Sequence, residues 1–124
     1  MEPNSTKHLK LAEGPLQEVY CQILAACKSI SHYLRYSTSS HVETENVYGE
    51  LQLDGDLLTE KIIFGALQKA SSVFGAVSEE TPQMVPLNQE GEYIVTFDPL
   101  DGSSVVEANM AVGSIFGIWK KRPD

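Results

Sequence analysis

Phe97-Asp98-Pro99-Leu100-Asp101-Gly102-Ser103-Ser104 follows directly on Tyr93-Ile94-Val95-Thr96. The apolar, β-branched and aromatic run Tyr93–Phe97 predicts a buried strand that delivers Asp98 to its C-terminal end. Pro99 has no N–H to give and is expected to stop the ladder there. Asp101 follows, then Gly102, which lets the backbone come close to a ligand. Ser103 and Ser104 suit the N-cap of a short helix near 103–109. Paired carboxylates, a tight turn and a row of free N–H groups are what a metal-bridged phosphate requires. Mg²⁺ takes hard oxygen ligands, commonly one or two carboxylates plus phosphate oxygens. A helix N-terminus offers N–H donors and a positive dipole end to the same anion.

Working outward, Val73–Val77 reads as a short strand ending at Ser78-Glu79-Glu80, and Thr81-Pro82 is expected to interrupt regular structure after it. Residues 83–92 form a hairpin or crossing loop with a brief strand near Met84–Leu87. Val112–Trp119 predicts another strand, cut off by Lys120-Lys121-Arg122-Pro123. With no capping element after it, that strand would be an exposed apolar edge, and the chain reads as the front portion of a larger protein. Upstream, Leu16, Val19, Tyr20, Ile23, Leu24, Cys27, Ile30 and Leu34 recur at helical spacing, predicting an amphipathic helix from Pro15 to about Tyr36. A second helix is expected from Asp56 to about Ser72, with Leu57, Leu58, Ile62, Ile63, Leu67 and Ala70 on its apolar side. Residues 1–13 read as a flexible segment and 37–47 as a polar loop in which His41 is solvated. Gly49–Asp56 admits two readings: a turn with Asp56 capping the second helix, or Glu50 and Asp56 as acids facing an active site. Glu79 and Glu80, taken alone, describe a solvated turn.

The chain has 124 residues, 42% of them hydrophobic, enough for one modest core. Its formal net charge of −8 opposes nucleic acid and anionic lipid. It also opposes a sugar bisphosphate, so an anionic substrate here calls for bound cations or basic residues from elsewhere. Cys21 and Cys27 point to different faces of one helix and are not expected to bridge. Reduced thiols, no transmembrane run and no signal-peptide pattern lead to a cytoplasmic expectation.

The Asp98–Ser104 turn resembles the Asp-Pro-x-Asp-Gly-Ser/Thr signature of the sugar-bisphosphate and inositol-phosphate phosphatases. In the fructose- and sedoheptulose-bisphosphatases an acid-x5-acid stretch precedes the second helix, a Ser-Glu-Glu follows the next strand, and then comes the Asp-Pro-Leu-Asp-Gly-Ser-Ser turn. All three occur here in that order. The resemblance implies an α/β fold, the family's layered α/β/α/β/α sandwich, with residues 14–124 as its N-terminal part. It implies Glu79, Glu80, Asp98, Asp101 and the Leu100 carbonyl as metal ligands. Gly102, Ser103 and Ser104 would hold the phosphate being cleaved. Glu80 would help take a proton from the attacking water, and Asp56 would support that metal-bound water. Glu50 falls where the family has Asp, one methylene shorter. The implied cofactor is Mg²⁺, two or three ions per site, with Mn²⁺ as a substitute.

Within the family, Val105-Val106-Glu107-Ala108-Asn109 and the Trp that ends Gly113–Trp119 are similar to the sedoheptulose-1,7-bisphosphatases. The implied reaction is removal of the 1-phosphate of sedoheptulose 1,7-bisphosphate, with fructose-1,6-bisphosphatase as the alternative and inositol monophosphatase further off. Glu13, Gln17 and Glu92-Tyr93 stand where animal fructose-bisphosphatases bind inhibitory AMP, and acids there would repel its phosphate. Residues 37–47 hold no cysteine pair for redox control. Relatives imply a homo-oligomer, dimer or tetramer. A different class stays open: a truncated, non-catalytic fragment acting only in binding or assembly.

Overall fold

In a computed structural model of the chain, the described residues are 10–37, 45–102 and 112–123. They form α1 (Pro15–Ser37), α2 (Glu45–Lys69), β1 (Val73–Ser78), β2 (Thr81–Pro86), β3 (Tyr93–Asp101) and β4 (Gly113–Lys120). The strands make one mixed sheet in the order β2-β1-β3-β4. β1 and β3 run parallel at its centre, while the β1–β2 and β3–β4 pairs are antiparallel. This is an α/β arrangement, as the resemblance implies.

α1 packs on α2, and α2 packs on β1 and β3. Val19, Ile23, Ala26 and Ile30 of α1 join Ile63 and Leu67 of α2, Ala70 beyond it, and Val73, Ala76, Val95 and Phe97 of the sheet in one core. The helical stripe is the cause for α1, since its buried positions repeat every three to four residues. Each fully buried Val, Ile or Leu contributes about 1.5–3 kcal/mol. Phe97 links the layers: its ring meets Phe64 of α2 edge-on at 5.1 Å and stacks toward Phe116 of β4 at 6.1 Å. Neither cysteine is in a disulfide, and burial pushes the Cys27 thiol up from its ordinary range.

Several sequence expectations are corrected. α2 begins at Glu45, not Asp56, so the end of the expected polar loop and all of Gly49–Asp56 are helical. Gly49 and Gly55 each cost about 1 kcal/mol against Ala in a helix, and the surrounding Glu, Leu and Gln residues favour it. Asp56 is therefore no N-cap. Leu57 and Leu58 are exposed, while Thr59 and Glu60 are buried in their place. β2 starts at Thr81 and includes Pro82, which is tolerated because β2 is an edge strand. β3 runs through Pro99 to Asp101. The β3–β4 register shifts between Asp98 and Asp101, so Pro99 sits in the irregularity. The expected loop at His41 and the expected helix near 103–109 lie outside the described residues.

Asn88 closes the junction between helix and sheet. Its Nδ2 donates toward the carbonyls of Gln68, Ala70 and Val73 at 3.2, 3.0 and 3.0 Å. The Ser72 carbonyl accepts from the N–H groups of Glu92 and Tyr93. Ser71 and Glu18, joined through both the backbone N–H and the hydroxyl of Ser71, tie α1 to the same corner.

Candidate active site

Where the pairing of two parallel strands stops, the next residues of each stand side by side. Ser78 of β1 pairs with Phe97 of β3, and the Glu79 N–H donates to the Phe97 carbonyl at 2.9 Å. Glu79 therefore sits beside Asp98, at the carboxyl ends of the parallel strands, the usual place for a ligand in α/β sheets. Glu79 and Glu80 are the two residues of the β1–β2 turn, since Ser78 pairs with Thr81.

That turn is held at both flanks. The Glu80 N–H donates to the hydroxyl of fully buried Ser78 at 3.2 Å. The Thr81 hydroxyl donates to Glu60 Oε1 at 2.6 Å. Glu60 comes from α2 and is only 6% exposed. On the β3 side, the Leu100 N–H donates to Asp98 Oδ1 at 3.1 Å. Pro99 and Leu100 are buried, and the Ser114 hydroxyl donates to the Pro99 carbonyl at 2.8 Å. Asp98 is thus fixed by its own turn, and the backbone around it is anchored on both sides. Gly102 closes the strand with φ of 84°, a conformation open to glycine at little cost.

The electrostatics are one-sided. Glu79's carboxyl is held above the usual carboxylate range, first by a hydrogen bond with Asp98, then by the Asp98 charge, by desolvation, and by the charges of Glu80 and Asp101. The charges acting on Glu79 are all negative, and each makes its carboxyl harder to ionise. The structure brings Glu79 and Asp98 within hydrogen-bonding reach and leaves Glu80 and Asp101 exposed within electrostatic range. Among the described residues, no three His, Cys, Asp or Glu side chains already stand as a metal-binding group. The donor set nevertheless fits a hard divalent cation: all carboxylate oxygens, like-charged, whose mutual repulsion a cation would relieve.

An open cleft of about 700 Å³ adjoins the pair, lined by Glu79, Asp98, Val77, Thr96, Ile115 and Gly117 among others. Alternation along β3 sends Val95 and Phe97 to the helices and Thr96 and Asp98 to the opposite face. The register Thr96↔Gly117 and Asp98↔Ile115 carries that face onto β4. There Trp119 Nε1 donates to Thr96 Oγ1 at 3.0 Å.

Glu50 and Asp56 lie on α2, their side chains outside the described residues; Ser103 and Ser104 lie outside the described residues altogether. Sequence reasoning missed Glu60 and Thr81. The available signal was a carboxylate in helical register with Ile63 and Leu67, on the side of α2 that becomes buried.

The sequence profile of the family described as fructose-1-6-bisphosphatase, N-terminal domain, matches residues 2–124. A class 1 fructose-1,6-bisphosphatase of Campylobacter curvus is 40% identical over 105 residues, covering 85% of this chain and 35% of that protein. One from Campylobacter jejuni is 38% identical over 107 residues, covering 86% and 38%. The chain thus spans little more than a third of these relatives. Among crystal structures, the holo form of Leishmania major fructose-1,6-bisphosphatase superposes with a TM-score of 0.73 at 30% identity, covering 86% of this chain and 34% of the other. A Toxoplasma gondii protein assigned as a sedoheptulose-1,7 bisphosphatase gives the same TM-score at 31% identity, covering 97% and 38%. The strand-end carboxylates and the Asp-Pro-Leu-Asp-Gly turn therefore sit in a chain that belongs to the fructose-1,6-bisphosphatase family, as part of its N-terminal domain.

Proposed function

We propose that the chain forms the metal-binding part of a phosphatase that removes the 1-phosphate of a sugar bisphosphate, with sedoheptulose 1,7-bisphosphate as substrate. The observation that carries this reading is the Glu79–Asp98 pair at the ends of adjacent parallel strands, beside Glu80 and Asp101. Glu79, Glu80, Asp98, Asp101 and the Leu100 carbonyl would hold two or three Mg²⁺ ions, or Mn²⁺ in their place. When bound, such ions neutralise phosphate oxygens and lower the pKa of a water for in-line attack. Glu80 would take up a proton from the attacking water, supported by Asp56 and Glu50 of α2. Gly102, Ser103 and Ser104 cradle the phosphate through backbone N–H groups and hydroxyls. The full-length protein would act in the cytoplasm as a dimer or tetramer. Its partner would be the sugar bisphosphate, the net charge of −8 opposing nucleic acid and anionic lipid.

The choice of sugar rests on Val105–Asn109 and on Trp119. The names of the Campylobacter relatives favour fructose 1,6-bisphosphate as the second reading. The test is Mg²⁺-dependent phosphate release from each sugar bisphosphate, by this chain and by a form extended to its relatives' length. Release by the extended form, lost in Asp101→Asn with the fold intact, supports the reading. No release from either substrate by the extended form overturns it. Release by the extended form alone would leave the 124-residue chain in a binding or assembly role.

A further inference from the structure

We infer that Glu60 is a positioning residue, holding the Glu79–Glu80 turn in place through Thr81. The inference rests on reading Glu79 and Glu80 as cation ligands, and it concerns residues to which neither the family signature nor the charge cluster draws attention.

The geometry runs in one line. Glu60 is on α2 in register with Ile63 and Leu67, both fully buried. A carboxyl group at such a position costs free energy to bury unless it is hydrogen-bonded. Its Oε1 accepts from the Thr81 hydroxyl at 2.6 Å, near the short end for an O–H···O bond. Thr81 is exposed and is the first residue of β2, immediately after Glu80. It also faces Ser78 across the turn, and Ser78 holds the Glu80 N–H. Glu79 is tied to β3 at the Phe97 carbonyl, but β2 is the sheet edge, so the Thr81 end of the turn pairs only with β1. Glu60 thus fastens its free side to the helix layer. Outer residues of this kind act by fixing where metal ligands stand.

Three variants separate this role from general packing. Thr81→Val keeps a β-branched side chain at an exposed strand position and removes only the hydroxyl. Glu60→Ala removes the acceptor, and Glu60→Gln retains an acceptor oxygen while removing the carboxylate. Mn²⁺ binding is measured directly, by loss of its free-ion electron paramagnetic resonance signal, alongside thermal melting. Thr81→Val and Glu60→Ala should each weaken Mn²⁺ binding by about tenfold or more, with Thr81→Val still melting cooperatively, and Glu60→Gln should recover most of the loss. Unchanged Mn²⁺ binding in a folded Thr81→Val overturns the inference. So does a Glu60→Gln variant as weak as Glu60→Ala, which would make bulk charge the cause. A parent chain that takes up no Mn²⁺ overturns both this and the metal reading beneath it. Normal Mn²⁺ behaviour of the series with no phosphate release by the extended form would sustain the positioning role and sink only the proposed reaction.

Discussion

Glu79 follows β1 and Asp98 lies in β3, yet they share a hydrogen bond because the parallel pairing of the two strands runs up to Ser78 and Phe97. Asp98→Asn tests what this proximity does. The amide keeps an oxygen to accept the Leu100 N–H, so the turn should survive. Divalent-cation binding should fall by more than about tenfold, the carboxylate being replaced by a neutral group. The Glu79 carboxyl should titrate closer to the ordinary range, since its first two perturbing causes both involve Asp98. Mn²⁺ binding and a carboxyl-detected NMR titration check the two halves separately.

The direction of the Glu79 shift makes stability depend on pH. A raised folded value means that Glu79 keeps its proton where the unfolded chain has already lost it. The stability linked to this proton is complete below the unfolded carboxylate value and is lost as pH rises through the folded one. In metal-free buffer the melting temperature should carry a falling contribution across that window. Mg²⁺ must displace the same proton, so the rise in melting temperature it causes should grow with pH over the same interval. Asp98→Asn should flatten both trends, as followed by thermal melts with and without Mg²⁺.

Asn88 should be sensitive to the sign of its group as well as its presence. Its Nδ2 serves three carbonyls at the end of α2 and the start of β1. Asn88→Ala removes the donors and should cost about 1–2 kcal/mol. Asn88→Asp sets a carboxylate against carbonyl oxygens at a helix C-terminus and should cost more, about 2–3 kcal/mol. Urea unfolding midpoints for the two variants give the order directly.

Gly91 is constrained by the main chain itself. A Cβ there would stand 2.3 Å from the Phe74 nitrogen and 2.5 Å from the Val73 carbonyl carbon, atoms that cannot rotate aside. Gly91→Ala should force the 88–92 loop off β1 and lower stability by about 3 kcal/mol. Hydrogen exchange at the Glu92 and Tyr93 amides, both bonded to the Ser72 carbonyl, should accelerate with it.

Much of this architecture is legible in the residue pattern, and the failures have identifiable causes. α1 is legible because its apolar stripe repeats over more than five turns, and β1, β3 and β4 because β-branched and aromatic runs are bounded by turn residues. The start of α2 is not, because Gly49, Asp54 and Gly55 each look like turn signals, while helix propensity summed over the whole segment outweighs them. Pro82 and Pro99 look like breaks because an edge strand and a register shift are properties of the assembled sheet. In the site, Glu79 and Asp98 are each visible locally, but their contact depends on the parallel pairing. Glu60 is hidden for the opposite reason: an isolated glutamate on a helix is ordinarily solvated, and only packing on the sheet buries this one.

Trp119 is the chain's single tryptophan, and it is 60% exposed on β4. Its indole is thus a built-in optical gauge of the sheet face away from the helices. Any polypeptide segment laid over that face would move its emission to shorter wavelength, with no label attached. The same signal would change little when only the helix-side core loosens, so fluorescence and circular dichroism report on opposite sides of one sheet.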